Sequence, residues 1–346
     1  MMNRTLIFLM LGASVAVCSV ARCESRGPLR KITLEVRDET GAAVADANAN
    51  IYFWHPGRKR SPVHKGETDA NGRFSAMDRV LGGVEAKSSK SGYYSIKYHR
   101  VQKDRMDDSA EPIHKKILMR SIINPTALYA RKVTLTFPKN GVFIGFDFGV
   151  GDWVSPYGKG VKTDILFKST RVFEGYSKSE RKLNDLRQYT KGLRADEGKE
   201  WSEEYFREVA GNWGGLLEIS FTEKKEGIQI CDDEYYVESD LRMPHEAPLD
   251  GYQANWDSKV LQRQYKEAGK PDLGFFVRTR VELNRAGKIE SANYVKFNES
   301  LSFDPKKNTV SFQYHFNPAA NDLNLEFDPK RNLFQGLDRS ESVYNP

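Results

Sequence analysis

Apolar and polar residues alternate with a period of two along much of this chain, and that pattern predicts half-buried strands rather than helices. Between 31 and 37, Ile32, Leu34 and Val36 fall on one face, and Lys31, Thr33, Glu35 and Arg37 fall on the other. Residues 50–54 form a second extended stretch, rich in aromatic and β-branched side chains. Between 93 and 99, Tyr94, Ile96 and Tyr98 oppose Ser95, Lys97 and His99, so His99 is expected to face solvent. Turn chemistry punctuates these runs at Glu39-Thr40-Gly41 and Asn71-Gly72. Asn and Gly tolerate positive φ, which predicts a two-residue hairpin at 71–72.

These motifs occur in a recognisable order: Val36-Arg37-Asp38, Gly41, Val44-Ala45-Asp46-Ala47, Thr68-Asp69-Ala70-Asn71-Gly72-Arg73-Phe74, and Gly92-Tyr93. The order resembles the carboxypeptidase regulatory-like domain over roughly residues 29–122. That resemblance implies a seven-stranded β-sandwich of transthyretin type in an exported bacterial protein. It implies an accessory or adhesive module, because the family name borrows from an enzyme whose catalytic domain is not present. The chain departs from the family pattern with a basic insertion at 55–65 and a charged loop at 103–111.

A boundary is expected near Asn124-Pro125, since proline restricts the residue before it. Beyond it the alternation resumes, with Val133, Leu135 and Phe137 opposite Lys132, Thr134 and Thr136. Asn140-Gly141 turns the chain, and 143–148 is expected to return as the partner strand. Leu217, Ile219 and Phe221 mark another strand. Phe275, Val277, Thr279, Val281 and Leu283 form one face of a long strand that turns at Ala286-Gly287-Lys288 into 289–297. In the last strand, Val310, Phe312, Tyr314 and Phe316 oppose Ser311, Gln313, His315 and Asn317. Strands at hairpin spacing predict a second β-sandwich or jelly roll over 126–334. Its helical insertion is expected at 177–213, where Leu183, Leu186 and Tyr189 fall near helical spacing and Trp201, Tyr205 and Val209 recur every four residues. Residues 317–334, with spaced Leu and Phe anchors, are expected to strap onto that sandwich and cover an edge. The final residues, 335–346, are read as a disordered tail. The fold class is therefore all-β.

The beginning of the sequence changes the compartment. Arg4, an apolar run to Ala21, and small residues Ser19 and Ala21 match a secretory leader over 1–21. The run is short for a membrane span, and no later segment is apolar enough, so the expected product is exported to the periplasm or beyond. Cys23 and Cys231 would remain as a possible disulfide pair. The formal net charge of +6 is spread among interleaved acidic and basic residues. No basic stripe with stacking aromatics is present, which argues against nucleic acid as a partner.

Candidate chemistry concentrates at 146–160, where four glycines surround Asp152, Trp153 and Tyr157. Sugar rings need aromatic faces for their CH groups and polar side chains for their hydroxyls, so these residues, with Tyr252 and Trp256, are the candidate glycan contacts. The competing reading is a tight connection with Trp153 in the core. Neither a dinucleotide fingerprint nor a phosphate loop fits these glycines, and no cofactor is expected. Asp147 and Asp152 are considered as a carboxylate pair for glycoside hydrolysis, although Asp147, between two phenylalanines, is expected on a solvated strand face. The acidic group Asp232, Asp233, Glu234, Glu238 and Asp240 lacks the spacing of a calcium loop. The six histidines lack paired ligand spacing, and no metal is expected. Together these features predict an exported, non-catalytic binding protein interacting with glycan or envelope proteins. The alternative is a glycan-active hydrolase in the second domain.

Overall fold

The computed structural model describes residues 27–55, 61–80, 82–102, 111–176, 178–231, 236, 238–260, 273–299 and 301–346. The expected leader, Cys23, the acidic run 232–234, most of the 103–111 loop and the side chain of His99 lie outside the described residues.

Seven strands build the N-terminal sandwich: β1 (Leu29–Arg37), β2 (Asn48–Phe53), β3 (Val63–Glu67), β4 (Arg73–Arg79), β5 (Val84–Ser89), β6 (Ile96–Gln102) and β7 (Ile113–Leu118). One sheet runs β4-β1-β7, and the facing sheet runs β3-β2-β5-β6. Ile32, Leu34 and Val36 of β1 meet Ala49, Ile51 and Phe53 of β2 in a common core, as their period of two requires.

The 71–72 turn differs from the expected hairpin. It joins β3 to β4, yet β3 pairs with β2 and β4 pairs with β1, so the chain crosses from one sheet to the other. The motif residues explain the crossing. Thr68 is buried; its hydroxyl donates to the Val44 carbonyl at 2.7 Å and accepts the Ala47 N–H at 2.9 Å. Asp69 Oδ1 accepts the N–H groups of Asn71 and Arg73, both at 2.8 Å. Gly72, at φ +73°, passes beside Val36, and a Cβ there would lie 2.5 Å from the Val36 carbonyl oxygen.

The second β-rich region contains β8 (Tyr129–Thr136), β9 (Ile144–Asp147), β10 (Asp152–Trp153) and β11 (Ile165–Gly175), then helices α1 (Glu180–Asp196) and α2 (Glu203–Ala210). There follow β12 (Asn212–Ser220), β13 (Gly227–Cys231), β14 (Asn255–Val260), β15 (Gly274–Leu283), β16 (Ile289–Phe297), β17 (Ser302–Asp304) and β18 (Thr309–Asn317). One sheet runs β10-β9-β11-β12-β14. The other runs β13-β15-β16-β18-β17, with β8 also paired to β18. Thus 143–148 does not return beside β8 but crosses to the opposite sheet. Phe146, Phe148 and Phe167 from one side meet Phe297, Phe312, Tyr314 and Phe316 from the other. The helices occupy the expected insertion, and Phe206 is the fully buried anchor of α2.

The outer face of the β15-β16-β18 sheet is buried as well. The strap covers both this face and an edge: Asn332 holds the Ala130 N–H and carbonyl of edge strand β8, and the Glu341 carbonyl accepts the Lys132 N–H. The expected disordered tail is therefore seated, with Val343 4% exposed and the Asn345 carbonyl 3.2 Å from His315 Nε2. Glu326, fully buried in this strap, ties the two regions together. Its carboxylate accepts the Tyr94 hydroxyl at 2.7 Å, the Ile123 N–H at 3.0 Å and the Asn124 N–H at 2.6 Å. Burial and this acceptor both raise the Tyr94 pKa and keep its proton on.

Beneath the strap, Lys296 is fully buried, and its Nζ has no hydrogen-bond partner among the described residues. Burial pushes its pKa down to about 7; Glu326 partly opposes the shift and Arg120 adds to it. An unfolded lysine keeps its proton up to about 10.5. Between those values the unfolded chain binds more protons, so this residue makes stability rise with pH across that window. We predict that Lys296→Met stabilises the protein at neutral pH by about 1–4 kcal/mol. It should also flatten the rise between pH 7 and 10 in urea titrations compared with the parent.

Candidate functional site

The 146–164 segment forms a compact platform at one end of the second sandwich. Its form follows from where the acidic residues direct their oxygens. Asp147 ends β9 and is 3% exposed, contrary to the solvated strand position expected for it. Its Oδ1 accepts the N–H groups of Gly149 at 2.9 Å and Val150 at 3.3 Å, and its Oδ2 accepts those of Val161 and Lys162, both at 2.9 Å. Asp152 Oδ1 accepts the Trp153 N–H at 2.8 Å, and Oδ2 accepts the Lys159 N–H at 3.0 Å. Gly158 lies so close to this carboxylate that a Cβ there would overlap the Trp153 carbonyl and sit 2.8 Å from Asp152 Oδ1. The glycines permit a tight backbone approach.

The platform is latched to the opposite sheet by Arg280. Its Nε donates to Asp164 Oδ1 at 2.6 Å, and its Nη2 donates to Asp164 Oδ2 at 2.8 Å and to Asp147 Oδ1 at 3.3 Å. Asp164 is 1% exposed and also accepts the Phe148 N–H at 2.8 Å. Arg280 adopts φ +53° where the β15–β16 register shifts between Thr279 and Glu282, and its Cζ lies 4.6 Å from the centre of the Phe316 ring. Burial, with the Asp147 carboxylate nearby, raises the Asp164 pKa above the usual carboxylate range, against the pull of Arg280. Two parallel N–H···O contacts are nonetheless the geometry of a carboxylate facing a guanidinium, and we read the pair as charged. The carboxylates in turn raise the Arg280 pKa.

The candidate aromatics separate into different environments. Trp153 is 4% exposed; its Nε1 donates to the Thr136 carbonyl at 3.0 Å, and its ring packs on Phe137, Phe146 and Phe167. That packing corrects its assignment as a ligand-stacking residue, because neither ring face reaches solvent. Trp256 is half-buried, edge to face with Phe275 at 5.2 Å. Tyr252 lies under Arg278 at 4.4 Å, with its hydroxyl enclosed, and burial raises its pKa. Tyr157 alone among these aromatics is well exposed, at 41%. Val150 and Val161 are also exposed, with Val161 reaching 80%. Cys231 is buried.

Sequence reading missed Asp164 and Arg280. Their pairing spans β11 and β15, so nothing in local spacing signals it; the faint trace is a lone acid directly before the apolar start of β11. Among the described residues, no group of three or more His, Cys, Asp or Glu is arranged to hold a metal ion. Likewise, no described helix is long and apolar enough to cross a membrane.

No family model matches the chain, and no curated protein matches it. Similar solved structures include a 3-chlorocatechol 1,2-dioxygenase from Rhodococcus opacus 1CP, at 15% identity and TM-score 0.24, covering 29% of this chain and 62% of that one. The minor pilin GBS52 of Streptococcus agalactiae matches at 15% identity and TM-score 0.22, covering 30% and 48% respectively. A Bacteroides uniformis protein described as a candidate carbohydrate binding protein matches at 10% identity and TM-score 0.19, covering 86% and 100%. The matches span less than two thirds of the dioxygenase and the minor pilin. At such identities and scores the likenesses assign neither family nor activity.

The latch makes a direct prediction. Arg280→Gln leaves two buried carboxylates without their cation and should cost about 3–5 kcal/mol in chemical denaturation. Hydrogen exchange should then accelerate at the amides of Gly149, Val161 and Lys162 more than in the N-terminal sandwich. Equal acceleration in both regions would argue against a local latch.

Proposed function

We propose that this is an exported, non-catalytic binding protein of a bacterial envelope, with the 146–164 platform as its contact surface and a glycan as the favoured ligand class. The observation that carries this reading is the commitment of the acidic oxygens. Both oxygens of Asp147 and of Asp152 accept backbone N–H bonds. A glycosidase carboxylate must instead protonate a leaving group or attack a sugar carbon, so its oxygens must face substrate. Here the acids fix a loop, and the loop presents Tyr157 with Val150, Val161 and the flanking Lys159 and Lys162 to solvent.

Rigid presentation favours binding, because the entropy of ordering the loop is lost during folding rather than on contact with ligand. An exposed phenol ring offers an apolar face to sugar CH groups and a hydroxyl to their oxygens. The N-terminal sandwich, through its resemblance to carboxypeptidase regulatory-like domains, supports an accessory role, and the leader-like sequence supports export.

Screening the protein against immobilised glycans tests this reading. Tyr157→Ala, at an exposed position, should leave the thermal transition within about 0.5 kcal/mol of the parent. It should weaken the best glycan interaction at least about tenfold, which corresponds to 1.4 kcal/mol. Absence of binding by the parent protein to every glycan tested would remove glycan as the ligand class.

A further inference from the structure

A second surface lies on the opposite sheet. On the outer face of β17, β18 and β8, Ser302 stands opposite Ser311, and Ser311 stands opposite Thr134. The result is a row of three hydroxyl-bearing residues across three adjacent strands, spaced by the interstrand distance of about 4.8 Å. Thr134 Oγ1 and Ser311 Oγ are 2.9 Å apart, already within hydrogen-bond distance. In the next row Gln313 stands opposite Lys132, and Gln313 Nε2 donates to Asn298 Oδ1 at 2.5 Å, which holds the amide in place.

These residues floor a groove of about 310 Å³, with Glu299 along one side and Ser340 of the seated C-terminal tail at another. Its walls are held from outside. Glu299 lies 3.5 Å from Arg242, and the segment after Ser340 is fixed by the Lys132 N–H to Glu341 carbonyl bond at 2.8 Å. A fully solvated sheet face ordinarily carries long charged side chains that cover it. Here small hydroxyls leave the floor open, and Gln313 is only 2% exposed at the base.

We propose that this groove binds a short neutral saccharide of one or two rings. Hydroxyl side chains both donate and accept, and they rotate to suit a partner with the same capacity, which describes a sugar better than an anion or an apolar ligand. The volume falls at the lower end of small-molecule sites. The one aromatic among the groove's lining residues, Phe312, is 4% exposed and packed into the core, so it offers no open face for stacking and the affinity expected is millimolar. This site is separate from the Tyr157 platform and stands whether or not that platform binds a glycan.

The test is an amide NMR titration of the isotope-labelled protein with cellobiose, maltose and N,N′-diacetylchitobiose. At least one sugar should give saturable shifts at Lys132, Thr134, Ser311 and Gln313. Thr134→Val keeps the shape of an exposed residue and removes one hydroxyl; Ser311→Leu fills the floor. Each should weaken the groove shifts at least tenfold, and Thr134→Val carries the test if the leucine variant does not fold. Absence of groove shifts with all three sugars overturns the proposal, as do shifts unchanged by Thr134→Val. Shifts confined to Val150, Tyr157 and Val161 also overturn it while supporting the platform reading.

Discussion

The form of the second β-rich region depends on one guanidinium placed where its two sheets meet. Arg280 stands on β15, and the carboxylates it holds, Asp147 and Asp164, stand at the ends of β9 and β11 in the opposite sheet. Neither acid can be buried at this depth without a cation or several N–H donors, because the charged form loses its hydration. Once Arg280 is in place, the remaining lone pairs accept backbone N–H groups from Phe148 to Lys162. The loop conformation thus follows from satisfying two buried charges. The positive φ of Arg280 and the break in the β15–β16 register are the backbone distortions that accompany this placement.

The same rule governs the contact between the two β-rich regions. Glu326 enters the interior as part of the C-terminal strap and is satisfied by Tyr94 from one region and by two main-chain N–H groups of the connecting segment. A carboxylate with three donors is stable in a dry site, whereas an amine with no hydrogen-bond partner is not. Lys296, beneath the same strap, shows the contrast. Both residues are fully buried, but among the described residues only the acid has hydrogen-bond partners. The strap therefore brings in a well-satisfied anchor and also covers a residue that costs stability.

Much of the strand pattern was legible because each face of a strand has a single environment. Ile32, Leu34 and Val36 alternate with polar neighbours, and the fold buries all three. Turn chemistry was legible in kind but not in destination. Asn71-Gly72 and Asn140-Gly141 do turn the chain, yet each leads to the facing sheet, because local φ preferences say nothing about which strand will pair next. Polar residues were misplaced where a second layer covers the sheet. Gln313, His315 and Asn317 alternate as a solvated face should, but residues beyond 320 pack over part of that face, and all three are buried. Asp147 was misread for a related reason, since its partners come from residues 149 to 162 and from β15.

The two candidate surfaces differ in how they obtain rigidity, and that difference bears on what each can recognise. The platform is an irregular loop, so its order comes from six backbone N–H bonds to Asp147 and Asp152 and from the Arg280 latch. Such a surface can project a large ring such as Tyr157 beyond the sheet outline. The groove lies on paired strands, where ladder hydrogen bonds already fix the backbone and small side chains suffice to shape a floor. Projection suits a partner that approaches as an extended or bulky surface, while a floor of short hydroxyls suits a ligand small enough to descend to it. On the platform the oxygens of Asp147 and Asp152 are committed to holding the loop, and in the groove neutral hydroxyl and amide groups lie beside Lys132 and Glu299.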